Sequence, residues 1–90
     1  MPLYTYIASY RGSTAAEQGS FSNYKGFAAQ TLGAIPQKAL PGITPKLRKE
    51  FLEKAYRCDW VAVPNRTNLW RASFELDGSD FVVYVVQTKP

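Results

Sequence analysis

Near the end of this chain an Asp-Gly pair, Asp77-Gly78, stands between two alternating runs. Leu69-Trp70-Arg71-Ala72-Ser73-Phe74-Glu75-Leu76 precedes it, and Ser79 through Thr88 follows. The tightest hairpin turns need left-handed backbone at their central residues, which Asp and Gly tolerate, so this arrangement predicts a long β-hairpin. In the first arm Trp70, Ala72, Phe74 and Leu76 share a face. A two- or four-residue turn brings Phe81, Val83 and Val85 to that same face, whereas a three-residue turn brings Val82, Tyr84 and Val86 there instead. Both alternating sets of the second arm are apolar. Such a strand is either central and covered on both sides, or it leaves an apolar surface for a partner.

The other segments follow from changes of period. Leu3 to Tyr10 alternates Leu3, Thr5, Ile7, Ser9 against Tyr4, Tyr6, Ala8, Tyr10, and its β-branched and aromatic content predicts a strand. Arg11-Gly12-Ser13 supplies a turn, and Thr14 to Phe21 reads as a second, weaker strand with Gly19 a candidate bulge. From Ser22 the spacing becomes helical: Tyr24, Phe27, Ala28, Thr31 and Leu32 share one face, with Ser22 or Asn23 as N-cap and Gly33 as the stop. Residues 33 to 43 carry Pro36, Pro41 and Gly42 among Ile35, Leu40 and Ile43, the mark of an ordered connector with apolar anchors. Thr44-Pro45 then starts a helix to about Arg57, because proline fits the first helical position after a hydroxyl cap. Leu47, Phe51, Leu52, Ala55 and Tyr56 form its apolar arc, and Glu50/Lys54 and Glu53/Arg57 are paired four residues apart. Trp60 to Val63 reads as a short strand.

These elements predict one α+β domain over residues 1–90, an antiparallel sheet of four to five strands in ββααββ order with two helices on one face. At 46% hydrophobic and 14% aromatic, the chain has enough apolar material for one compact core. It contains no run of about 18 apolar residues, so no membrane span is expected. The start of the chain lacks the basic and apolar stretches of a secretion signal, which makes a cytoplasmic location the expectation.

Catalytic and metal-binding readings find little support. Histidine is absent, which removes the commonest general base and metal ligand. Cys58 is the only cysteine and falls at the C-terminal end of the second helix, where the helix dipole disfavours a thiolate. Asp77 and Asp80 sit where turn chemistry wants them, and the acids lack calcium-loop spacing. Neither an enzyme nor a cofactor nor a metal is expected from the sequence.

The functional expectation is therefore binding. The leading reading is a non-catalytic protein-interaction or regulatory module, with a homodimer joined through the last strand or its uncovered face as one form of it. Val82, Tyr84 and Val86 are the candidate anchors and Arg71 the rim contact. The alternative is a nucleic-acid-binding protein. Tyr4 and Tyr6 would stack bases, while Arg11 and the helical Lys46 and Lys49 would meet phosphates, in keeping with the net charge of +4. On the helical wheel, however, Glu50 and Glu53 lie among the basic residues, as on a salt-bridged solvated face. Arg48 alone points into the apolar arc, where its stem would snorkel at the helix edge or its head would serve a binding site.

Overall fold

The computed structural model describes residues 1–36 and 38–89. Their elements are β1 (Leu3–Tyr10), β2 (Ser13–Ser20), α1 (Tyr24–Gly33), α2 (Pro45–Arg57), β3 (Val61–Ala62), β4 (Leu69–Leu76) and β5 (Ser79–Lys89). The strands form one antiparallel sheet in the order β2-β1-β5-β4-β3. This is the expected α+β class, with the short fifth strand present as β3.

Both long hairpins turn on two residues with positive φ, Arg11 (48°) and Gly12 (82°), then Asp77 (51°) and Gly78 (79°). That combination is what a type I′ turn requires, and its twist matches that of the flanking strands. The second turn fixes the parity left open by the sequence: Phe74 faces Phe81, Ala72 faces Val83 and Trp70 faces Val85. Gly19 is not a bulge, because β2 pairs with β1 in unbroken register. Its missing side chain instead makes room for Phe27, whose ring would lie 3.2 Å from a Cβ placed there. The sheet's irregularity falls between Leu3 and Tyr4, on the side facing β5.

The helices cover one face of the sheet. Phe27, Ala28 and Leu32 of α1 and Phe51 of α2 pack on Tyr4, Tyr6, Ala8, Tyr10, Phe81, Val83 and Val85, all buried. The Phe51, Phe74 and Phe81 rings form one cluster with centroids 4.9–6.2 Å apart, and Tyr24 stacks flat on Trp70 at 4.1 Å. Ile35, Leu40 and Ile43 of the connector are each at most 2% exposed, so this segment is a third part of the lid. Thr44 caps α2 by accepting from the Leu47 N–H, and Asn23 caps α1 by accepting from the Gly26 N–H.

Arg48 turns its head into the fold instead of snorkelling to solvent. Its guanidinium donates to Ile35 O (2.7 Å) and Gly33 O (2.8 Å), tying α2 to the end of α1 and to the connector that follows it. The Gly33 carbonyl, in the last turn of α1, lies at the negative end of the helix dipole, so a cation suits it. Of the two expected i,i+4 pairs, Glu50–Lys54 forms at 3.3 Å. No helix is long and apolar enough to cross a membrane among the described residues.

Candidate functional site

Because β5 is the middle strand, its alternation sorts the molecule into two faces. Phe81, Val83 and Val85 point under the helices, while Val82, Tyr84 and Val86 point to the other side, where no element packs among the described residues. The strand is thus central but not sandwiched. Its edges are both occupied, by β1 and β4, so self-pairing along this strand is closed and only its uncovered face remains accessible.

The registers assemble that face into rows running across the strands. The middle row is Ala16, Ile7, Tyr84, Arg71 and Val61, from β2 to β3. A second row contains Gln18, Thr5, Val86 and Leu69, and a third contains Thr14, Ser9, Val82 and Ser73. At about 4.8 Å between strands, five strands make this surface roughly 24 Å wide. Its centre is apolar: Ile7 is 49% exposed, Tyr84 39% and Val61 62%, with half-buried Val82 and Val86 beside them. Thr5, Thr88 and Gln18 form a hydrogen-bonded polar margin at one end. Glu75 and Asp80, which oppose each other across β4 and β5, form an acidic margin at the other.

Arg71 stands in the middle row with its guanidinium 5.9 Å from the Tyr84 ring centre. The guanidinium donates a long hydrogen bond to Ser73 Oγ at 3.4 Å, and it makes no ion pair among the described residues. Next to it, Asp59, Val61, Val63, Ser73 and Tyr84 line a depression of about 480 Å³ that opens onto this face. Val82, Tyr84, Val86 and Arg71, the four residues singled out in the sequence, therefore lie together on one uncovered surface. Ile7 and Val61 complete it. They escaped notice because only the β1–β5 and β3–β4 pairings bring them there, and such long-range pairings leave no local sequence signal.

The residues of the alternative reading are dispersed. Tyr4 and Tyr6 are 4% and 1% exposed, so neither can stack a base. Packing on Phe27 accounts for this: the Tyr4 ring stacks on it at 5.8 Å and the Tyr6 ring meets it at 6.1 Å. Arg11 is committed to the neighbouring turn, where it pairs with the Asp77 carboxylate at 3.1 Å and donates to Asp77 O (2.6 Å) and Ser79 Oγ (3.0 Å). Lys46 and Lys49 are exposed on α2, which lies on the other side of the sheet from the uncovered face.

Among the described residues, three groups titrate away from their ordinary values. Burial raises the Tyr6 phenol, helped by the nearby Glu17 charge. Burial also raises the Tyr10 phenol, which donates to Leu76 O at 2.5 Å. The half-buried Cys58 thiol is pushed up by desolvation and by Asp59, and it donates to Ala55 O, so it favours the unreactive protonated form.

The chain matches no protein-family model, no curated protein and no solved structure.

Proposed function

We propose that this domain is a non-catalytic protein-interaction module that binds through the uncovered face of its sheet. One observation carries the reading: the central strand presents Val82, Tyr84 and Val86 on a face that no element covers among the described residues. Exposed apolar side chains gathered on one face of a small domain are a feature of interaction sites. The occupant we assign is a partner protein whose contact surface places apolar side chains around a carboxylate. The apolar part fits the Ile7, Tyr84 and Val61 row, and the carboxylate fits Arg71, which lacks an acidic partner of its own among the described residues. Tyr84 and Arg71 are also residue types that dominate interface energetics, and here they touch each other.

The test is a comparison of baits. Wild-type domain, Tyr84→Asp and Arg71→Glu are used to capture proteins from the native host's lysate, with and without nuclease. Tyr56→Asp, on exposed α2 surface away from this face, is the control. A protein held by wild type and Tyr56→Asp but lost from Tyr84→Asp and Arg71→Glu supports the reading. Retention by Tyr84→Asp overturns it. So does capture that nuclease abolishes, which would move the function to nucleic acid.

A further inference from the structure

The two edges of this sheet are built differently. β3 is two residues long, and the chain leaves it through Val63, whose N–H bonds back to Leu69 O at 3.0 Å, and then Pro64. A short edge followed by proline is how sheets avoid pairing with other chains. β2 has none of these protections. It runs for eight residues in unbroken register with β1, contains neither proline nor lysine, and carries Glu17 as its one charge.

The register also shows which backbone groups are free. A two-residue turn makes Tyr10 and Ser13 a hydrogen-bonded pair, and bonded and non-bonded pairs then alternate along the ladder. The Phe21 N–H to Pro2 O bond at 3.1 Å keeps the same phase at the far end. Ser13, Ala15, Glu17 and Gly19 thus direct their N–H and C=O groups at β1. Those of Thr14, Ala16, Gln18 and Ser20 point outward, and among the described residues they have no backbone partner. All four residues are exposed.

We propose that β2 pairs with β2 of a second copy of this chain, antiparallel about a two-fold axis, joining the two sheets into one of ten strands. An identical strand run antiparallel presents the same outward groups at the same spacing, and a closed two-fold dimer consumes the exposed edge of both copies. Charge selects the register. Centring the axis on Glu17 would set the two Glu17 carboxylates directly opposite each other, which is unfavourable. Centring it on Ala16 pairs Ala16 with Ala16, Thr14 with Gln18 and Ala15 with Glu17, so no like charges meet and about six backbone hydrogen bonds form. In this register the middle row of the uncovered face, which ends at Ala16, continues across the axis into the second copy. The dimer edge is separate from the Tyr84 surface, and this inference stands or falls without it.

Sedimentation equilibrium and cross-linking test the proposal. Wild type should dimerise with rising concentration, and Ala16→Pro should be monomeric at the same concentrations. The Ala16 N–H faces away from β1, so proline there removes a bond to the second copy and none within the chain. Ala16→Lys, which places a charge on the axis, should also be monomeric if Ala16→Pro proves poorly folded by circular dichroism. In a Cys58→Ser background, Ala16→Cys should oxidise to a disulfide dimer, since paired residues lie about 5.5 Å apart. Gln18→Cys should not, because its symmetry mate is four residues out of register. A wild-type chain that stays monomeric near 1 mM, where an affinity of about −4 kcal/mol would show, overturns the proposal. A dimer that survives Ala16→Pro and Ala16→Lys, or that only Tyr84→Asp disrupts, overturns it too.

Discussion

Replacing Arg48 by methionine measures what joins the two helices. The arginine donates to Ile35 O at 2.7 Å and to Gly33 O at 2.8 Å, and it is half-buried. Methionine keeps an unbranched apolar stem but has no donor, so both carbonyls lose a charged partner. A hydrogen bond to a charged group contributes about 1.5–3 kcal/mol. Partial exposure places this site at the lower end, and two bonds give a loss of about 3 kcal/mol. Unfolding entropy of about 2.1 cal/mol/K per residue implies roughly 190 cal/mol/K for this chain, so Tm should fall by about 15 °C. Arg48→Lys retains the charge but can serve only one carbonyl well, and it should recover about half of the loss. Thermal and urea denaturation of the three proteins is the assay. A loss below about 1 kcal/mol in Arg48→Met would refute the reasoning. Full recovery by lysine would also refute it, since charge alone would then suffice without the forked geometry.

Two further perturbations probe the frame that presents the uncovered face. Gly78 has φ +79°, and a Cβ there would touch nothing within 4 Å, so Gly78→Ala should cost backbone strain alone, about 1–2 kcal/mol. A urea midpoint unchanged from wild type would show that the turn is not held in this conformation. Tyr6 and Tyr10 keep their protons in the native state above the ordinary phenol value of about 10, where the unfolded chain has lost them. The unfolded state then binds fewer protons, so the tyrosine contribution to stability should be flat below pH of about 10 and fall above it, beyond a smaller decline that starts near pH of about 9 as the unfolded Cys58 thiol ionises. Urea midpoints measured up to pH of about 11.5 should show this, and Tyr10→Phe should lessen the alkaline slope. An equal slope in Tyr10→Phe would remove Tyr10 from the account.

What the sequence discloses here is local. The Asp77-Gly78 turn, the Thr44-Pro45 helix start and the Ile35, Leu40 and Ile43 anchors are all written in short patterns, and each occupies its expected place. Parity along β5 was legible up to the turn length, and the two-residue turn settled it. The position of β5 was not legible, because it depends on β1 pairing with a strand more than seventy residues away. That one pairing decides that Val82, Tyr84 and Val86 share a surface with Ile7. The tyrosines of β1 were misleading for a related reason. Tyr4, Tyr6 and Tyr10 share a face whichever side the helices take, and only Phe27 and Phe81, packed against them, show that this face is the core. Arg48 was visible as an arginine among apolar residues. Its purpose was not, because the end of α1 reaches it through tertiary packing alone.

The alternation of β5 supplies the most direct test of the uncovered face. The domain, labelled at its Ile, Leu and Val methyl groups, is titrated with the partner obtained from the bait comparison, and its methyl spectrum is followed by nuclear magnetic resonance. The account predicts that Ile7, Val82 and Val86 shift strongly while Val83 and Val85, one residue away but under the helices, stay in place. Shifts centred on α2, with Ile7, Val82 and Val86 unmoved, would contradict it.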